Sequence, residues 1–372
     1  MTLVQRITQA IVSNGGWLPF DHYMHLALYA PGLGYYARDD RQFGLLDVSG
    51  GDFVTAPELS PLFARALAVQ VADALRATGS DTVWEFGPGT GTLARGLLTA
   101  LHDLGQPVAR YTLVDVSGAL RARQQATLAA CADAAPGVMQ WADALPESMT
   151  GVVIGNEVLD AMPVKLIARI GTVWHERGVA LDAMGAFVWA DRPTALRPPI
   201  AVPGECDYVT EIHPQGRAFV TTLAERLLAG ERATGRGGAA FFIDYGFPEA
   251  EYWHPQRTMG TLACHRAHRM DDNPLAAPGE KDITAHVDFT GIALTAQDAG
   301  LTVLGYCSQA RFLLNLGLAE RMAQSDLPAR ANAMKLIAEH EMGELFKVIG
   351  LATPDHVWAA QGFAHGDRSH RL

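Results

Sequence analysis

The apolar positions change period along the chain, and the change divides it. From Leu3 the spacing is helical: Leu3, Ile7, Ala10 and Ile11 share one face, and Asn14-Gly15-Gly16 ends the element. Residues 17–61 are rich in aromatics, Gly and Pro and read as a short helix followed by ordered loops. Ser60-Pro61 then supplies a cap and a first-turn proline for a helix through "LFARALAVQVADAL", which stops near Gly79. Beyond Gly79, short apolar runs alternate with helical segments. "TVWEF" predicts a first strand, "GPGTG" a tight turn, and "TLARGLLTALHDLG" a helix closed by Gly105. "ARYTLVDVS" predicts a second strand, "GALRARQQATLAACA" a second helix, "VMQWADAL" a third strand and "GVVIGNE" a fourth. A helix over residues 215–234 leads into a fifth strand, "AAFFIDYG".

Apolar strands separated by helices argue for a parallel α/β sheet covered on both faces. Residues 166–213 break the pattern. "KLIARIGTVWHERGVALDAMGAFVWADR" alternates apolar and polar residues with Gly between the runs, which predicts antiparallel strands inserted on the main sheet, and a Pro-rich loop follows. Residues 247–288 form a second irregular stretch. "GIALTAQDAGLTVLGYCS" predicts a helix, a glycine cap and a late strand. "ARFLLNLGLAERMAQ" and "RANAMKLIAEHEMGELFKVIG" predict terminal helices, with Phe312, Leu313 and Leu314 as core. The expected organisation is an N-terminal helical and loop cap over 1–78 and a core over 79–165 and 206–310. The core includes a substrate-side insertion at about 247–288; a β insertion over 166–205 and a C-terminal helical region over 311–372 complete the chain.

Composition narrows the partners. Of 372 residues, 49% are hydrophobic and 19% charged, an ordinary globular mix. Forty acids against 29 bases leave a net charge of −11. Phosphate binding needs clustered Lys and Arg, so duplex nucleic acid is not an expected partner; a cationic substrate would be welcome, and the acids also serve solubility. No run approaches the roughly 18 apolar residues of a membrane span. The first sixteen residues lack a secretory apolar segment and carry a single Arg, so no membrane insertion and a cytoplasmic location are expected. Cys131, Cys206, Cys264 and Cys307 are far apart and form no CxxC pair. Cys264, His265 and His268 cluster in "ACHRAH", but no fourth ligand stands at a usual spacing, so no metal is expected. The pattern implies no oligomeric state.

The candidate chemistry begins at the glycine turn. Gly87, Gly89 and Gly91 lie between a predicted strand and helix, where glycine allows a tight turn and close approach of a ligand to the backbone. The spacing is GxGxG. The dinucleotide fingerprint is GxGxxG, and its third glycine position is Thr92 here. Glu85 stands two residues before the turn. That charge suits a nucleoside with a cationic amino-acid tail better than a pyrophosphate. The run resembles the motif of class I S-adenosyl-L-methionine (AdoMet) methyltransferases, which transfer a methyl group and leave S-adenosyl-L-homocysteine. Asp115, ending the second strand, then takes two ribose hydroxyls by charge-assisted hydrogen bonds. Asp143, after the third strand, takes the adenine amino group.

"GYY", "GDFVTAPELSPLF", "WEFGPGTGTLA", "GNEVLDAMPV", "FFIDYG", "GTLACHRAH" and "DITAHVDF" occur in an order that resembles one family. It is that of the MidA-like methyltransferases, which includes the mitochondrial complex I assembly factor. The likeness spans about residues 5–320. It implies a class I methyltransferase Rossmann-like sheet with a helical N-terminal region, an antiparallel β insertion and C-terminal helices. It also implies AdoMet-dependent methylation of a protein arginine, on a 49-kDa-type subunit of respiratory complex I during its assembly. Small-molecule or nucleic-acid methylation, and a non-catalytic assembly role, stay open as alternatives.

In an open α/β sheet a ligand sits at the carboxyl ends of the strands, so Asn156, Glu157 and Asp160 are expected beside the transferred methyl group. Arginine is a weak nucleophile because its charge is delocalised and its pKa exceeds about 12. Paired carboxylates orient it and draw positive charge from the attacking nitrogen. Glu157 is the first candidate for this work and Asp160 the second, while Asn156 is a candidate for holding the cofactor's methionine tail or a target hydrogen. Asp160 also fits as a cap before Pro163, and Asn156 as a partner for backbone groups at the strand end. The DNA amino-methyltransferase motif [DN]PPY is not matched by "NEVLD". Thr55 and Glu58 are candidates for closing over the cofactor. Asp244, Tyr245, His286 and Asp288 are candidates for the acceptor wall, and Tyr35 and Tyr36 fit either the cleft or the packing of the N-terminal helices.

Overall fold

The alternation between residues 82 and 308 resolves into one twisted sheet in a computed structural model, which describes residues 1–38, 55–115, 118–134, 137–266 and 269–372. Its strands are β1 (Thr82–Phe86), β2 (Arg110–Val114), β3 (Met139–Ala142), β4 (Gly151–Asn156), β5 (Gly238–Phe247), β6 (Thr302–Ser308) and β7 (Phe346–Ala352). The spatial order is β6-β7-β5-β4-β1-β2-β3. The pairs β5–β4, β4–β1, β1–β2 and β2–β3 are parallel, whereas β7 is antiparallel to both of its neighbours.

Both faces of this sheet are buried, which is why its strands read as continuous apolar runs rather than alternating ones. Val152 and Ile154 of β4 and Phe241 and Ile243 of β5 face one core, with Phe63, Leu67 and Leu97 from the helices Pro61–Thr78 and Thr92–Asp103. Val153 and Phe242, one residue out of phase, face the other core, with Leu223 and Leu227 from the helix Pro214–Thr234 and Phe289 from Phe289–Asp298.

The inserted strands are present and antiparallel: Lys165–Ile170, Val173–Leu181, Phe187–Pro193 and Tyr208–Ile212. Two features were not legible in the pattern. Leu18–Pro19 joins this sheet through Leu18↔Val179, so the N-terminal cap and the insertion share a layer. Phe20, Tyr23 and Met24 of the following helix, Phe20–Tyr29, pack with Leu166 and Val179. The last strand, Tyr208–Ile212, also extends the insertion beyond residue 205.

The C-terminal region differs from expectation. Helices span Gln309–Asn315, Leu318–Ala323 and Leu327–Ile337, a π-type turn follows at Glu339–Gly343, and the expected helix ends there. Phe346–Ala352 is β7, wedged between β5 and β6 with every residue buried. A short apolar run buried on both faces has no helical or alternating signature, so continuation of the preceding helix and a new strand looked alike. Gly350 fits the strand into place: a Cβ there would lie 2.6 Å from the Phe363 ring. Phe312 and Leu313 are core as expected, whereas Leu314 is 36% exposed.

Phe242 supports the sheet where the fourth and fifth strands meet. It is fully buried, its ring centroid lies 5.8 Å from that of Phe219, and a Cβ on Gly155 would lie 2.7 Å from it. Phe242→Ala is expected to lower the unfolding free energy by about 3–5 kcal/mol, measured by urea denaturation. A loss under about 1 kcal/mol would mean that this core collapses onto the gap instead of keeping it.

Candidate active site

The registers Phe86↔Gly155 and Ile243↔Asn156 align the carboxyl ends of β1, β4 and β5, where the strand order reverses. A cavity of about 1180 Å³ opens over these ends. One half is bounded by Glu85, Gly87, Gly89, Thr90 and Asp115, and the other by Asn156, Glu157, Asp160, Tyr245 and His286.

In the first half, Gly87, Gly89 and Gly91 have φ of +59°, +52° and +84°, values that a side chain makes costly. Gly87 and Gly89 line the cavity. A Cβ on Gly89 would meet nothing within 4 Å, so the backbone is open to a ligand. Gly91 lies off the wall; a Cβ there would stand 3.3 Å from Cα of Gln124, and its work is to let the helix Gly118–Ala134 approach. Glu85 is buried and accepts a hydrogen bond from the Tyr111 hydroxyl at 2.5 Å. Burial pushes its pKa up to about 7, against that hydrogen bond, with Asp115 adding repulsion. A buried acid with this history favours a cationic neighbour. Thr55 and Glu58 also line the cavity, and the Glu58 carboxylate accepts from the Thr90 hydroxyl. Residues 51–54 of the "GDFVT" wall lie outside the described residues.

Asp143 does not join this half. Its side chain is 77% exposed, pairs with Arg121 and is not part of the cavity wall. It follows the short, outermost β3.

The second half is built on an abrupt exit from β4. Glu157 has φ +55°, a conformation costing a non-glycine residue roughly 1–2 kcal/mol. Its N–H donates to the Ile243 carbonyl at 2.9 Å. The next three N–H groups, of Val158, Leu159 and Asp160, converge on Asp244 Oδ2 at 3.1, 2.9 and 3.3 Å. Asp244 is thus a clamp on the turn, one shell behind the wall. Asp160 accepts from the Tyr245 hydroxyl at 2.5 Å, and Asn156 Nδ2 donates to Glu157 Oε1 at 3.0 Å. Burial raises Glu157 to about 8, with repulsion from Asp160 added and hydrogen bonds from Asn156 and the Ala56 N–H opposing. Burial likewise raises Asp160 to about 6.

Val287 pairs beside Gly246, which sets His286 next to Tyr245 with its ring flat on Phe247, 5.1 Å away at 4°. Burial lowers His286 to about 4, so the ring is neutral near pH 7. Among the described residues, three buried atoms of this wall lack a hydrogen-bond partner: Asn156 Oδ1, Asp160 Oδ1 and His286 Nδ1. Native proteins rarely leave such atoms unpaired, so the two oxygens ask for donors on a ligand, while the neutral imidazole nitrogen can donate or accept. Asp288 is not part of the wall: it caps the helix Phe289–Asp298, with Oδ1 accepting from the Gly291 N–H at 2.9 Å. Tyr36 reaches the cavity, whereas Tyr35 is buried in the N-terminal packing.

Sequence reasoning passed over several wall residues. Tyr29 comes from the N-terminal helix, and Asp282, which accepts from the Tyr36 hydroxyl at 2.7 Å, opens the "DITAHVDF" run. Lys335, Met342 and Phe346 come from the C-terminal segment. Only Asp282 had a local signal, its place in a string already singled out. His268 of the Cys264 and His265 cluster lies outside the described residues, and His265 lines the cavity.

The first half fits AdoMet: an open glycine turn, an acid before it and Asp115 after it meet a nucleoside with a cationic tail. The comparisons with known proteins agree. A family model described as "Putative S-adenosyl-L-methionine-dependent methyltransferase" matches residues 66–307. Protein arginine methyltransferase NDUFAF7 of Danio rerio is 28% identical, over 93% of this chain and 86% of its own. The Caenorhabditis elegans homolog is 30% identical, over 81% and 73%. A Burkholderia thailandensis protein crystallised with S-adenosyl-homocysteine bound superposes with a TM-score of 0.93 at 51% identity, over 100% of this chain and 96% of that one. With its expected class I sheet, its glycine turn and these matches, the chain belongs to this family of S-adenosyl-L-methionine-dependent methyltransferases.

Proposed function

We propose that the protein methylates an arginine side chain of a protein substrate, and that the acceptor is a 49-kDa-type subunit of respiratory complex I during assembly. The observation that carries the arginine reading is the pair of buried, unpartnered acceptors Asn156 Oδ1 and Asp160 Oδ1 beside the Glu157 carboxylate. A guanidinium brings five N–H donors in a fixed plane and a permanent positive charge, which answers both the acceptors and the raised carboxyls. The curated relatives named as protein arginine methyltransferases support it. The complex I subunit rests on the family resemblance. The cytoplasmic location expected from the sequence belongs to the same proposal; among the described residues no helix is long and apolar enough to cross a membrane.

Bound AdoMet supplies an electrophilic methyl group on a sulfonium. The chain's own residues do the rest by orientation and charge. Glu157 and Asp160, ionised by the incoming guanidinium, hold its far nitrogens and draw positive charge toward themselves. The remaining nitrogen keeps more lone-pair character and faces the cofactor half. The new N–C bond forms as the C–S bond breaks, the sulfur keeps that electron pair, and one proton must leave the nitrogen. Once the positive charge has gone, the ionised Glu157 carboxylate, which burial disfavours, is the group suited to accept a proton from the guanidine it holds.

Methyl-labelled AdoMet incubated with the protein and the cognate 49-kDa-type subunit is expected to leave label in methyl-arginine after hydrolysis. Glu157→Gln should reduce that labelling by at least about a hundredfold, while calorimetry shows S-adenosyl-homocysteine affinity within about threefold of wild type. Label on another residue type, or full activity of the variant, would overturn the arginine reading.

The raised carboxyls also predict a pH dependence of stability. The ordinary values are 4.5 for Glu157 and 3.8 for Asp160, against about 8 and about 6 in the folded protein. Between these limits the folded state binds more protons than the unfolded one. The stabilisation is therefore full below the unfolded values and is lost as pH rises through the folded ones. The ligand-free protein is expected to melt at a lower temperature at about pH 8.5 than at about pH 5.5, and Glu157→Gln to shrink the difference. An equal difference in wild type and variant would remove Glu157 from this account.

A further inference from the structure

Gln124 sits on the helix Gly118–Ala134, fully buried, and has no part in the chemistry described so far. Both ends of its amide are engaged. Nε2 donates to Asp115 Oδ2 at 2.7 Å and to the Gly89 carbonyl at 3.1 Å, and Oε1 accepts from the Trp141 indole N–H at 2.9 Å. The orientation of the amide is forced by its neighbours. An indole N–H can only donate, so the atom facing Trp141 is the oxygen; the carboxylate and the carbonyl can only accept, so both face the nitrogen. One side chain therefore ties together the ends of β1, β2 and β3: the glycine turn, the acid expected against the ribose, and Trp141. Gly91 makes this reach possible, since a Cβ at that position would stand 3.3 Å from Cα of Gln124 and press the helix away.

We infer that Gln124 is a positioning residue of the cofactor site, acting through Asp115. By engaging Oδ2 it fixes the plane of the Asp115 carboxylate at the cavity wall and so pre-orients it toward a vicinal diol, the chemical group of a nucleoside ribose. By engaging the Gly89 carbonyl it holds the glycine turn in register with that acid. Glutamate could not do this, because it would repel Asp115 and donate nothing; methionine would fill the space and donate nothing.

The test uses the full chain, S-adenosyl-homocysteine as probe and calorimetry as readout, in a double-mutant cycle with Asp115→Ala. Gln124→Met is expected to weaken binding by about tenfold or more when Asp115 is present, the size expected for a lost hydrogen bond to a charged group. In the Asp115→Ala background the same change should cost less than about threefold, from the Gly89 and Trp141 contacts that remain to be lost. Near-UV circular dichroism and melting of each variant check that it folds. Should Gln124→Met not fold, Gln124→Glu, which keeps the shape and the Trp141 bond, enters the same cycle with the same expectation. Equal losses in both backgrounds would reduce Gln124 to a structural role, and no loss in either would dismiss it. The readout is cofactor binding, so the inference stands or falls independently of whether the acceptor is arginine.

Discussion

The Asp244 carboxylate is the constraint on which the acceptor half depends. A chain that leaves a buried strand within one residue takes its next N–H groups away from the ladder, and buried N–H groups must find acceptors. Asp244 collects three of them, from Val158, Leu159 and Asp160, and its other oxygen takes the Tyr245 N–H at 2.9 Å. That allows the turn to be tight enough to place Glu157 and Asp160 on one wall, and it holds Glu157 at a positive φ that an isolated chain would abandon. The cost is a third acid packed beside the other two. Burial and the charges of Asp160 and Glu157 raise the pKa of Asp244, and the backbone N–H groups oppose the rise.

The two halves of the cavity are tied by a short segment from outside the sheet. In Ala56–Leu59 the Ala56 N–H reaches the Glu157 carboxylate, while Glu58 bonds Thr90 on the glycine turn. The same few residues thus touch the cofactor side and the acceptor side. The electrostatics of the halves agree as well. Glu85 and Glu157 are both raised chiefly by burial, so both gain from a positive neighbour. The sulfonium cofactor brings one, and the guanidinium of the proposed acceptor would bring the other.

How much of this was readable depends on how local the signal is. Strands β1 to β5 were legible because burial on both faces leaves an apolar run, and glycines mark the turns beyond them. Glu85, Gly87 and Gly89 fall within five consecutive residues, and Asp115 ends the adjacent strand, so their meeting follows from the strand–turn–helix rule alone. Asp143 followed the same rule, yet its side chain stands off the cavity wall. The end of an outermost, four-residue strand need not face the cavity, and its carboxylate found Arg121 instead. Asp288 was similarly mistaken for a wall residue, because a cap before a helix and an acid in a site look alike in one dimension. Phe346–Ala352 was misread because β5 and β6, which pair with its two edges, and Phe312 and Phe289, which join the cores on its two faces, all lie more than 30 residues away in the chain.

The sequence by itself determined strands β1 to β5, the glycine turn and the placing of Asn156, Glu157 and Asp160 at a strand end, since each follows from nearest-neighbour chemistry. It could not determine which polar atoms stay unpaired. Asn156 Oδ1, Asp160 Oδ1 and His286 Nδ1 are left unpaired on a wall assembled from separate stretches of the chain. Nor could it show that Gln124, one of two adjacent glutamines on a polar helix, is buried against three strand ends. Hydrogen-bond satisfaction is a property of all the groups packed around an atom, and only the tertiary structure brings those groups together.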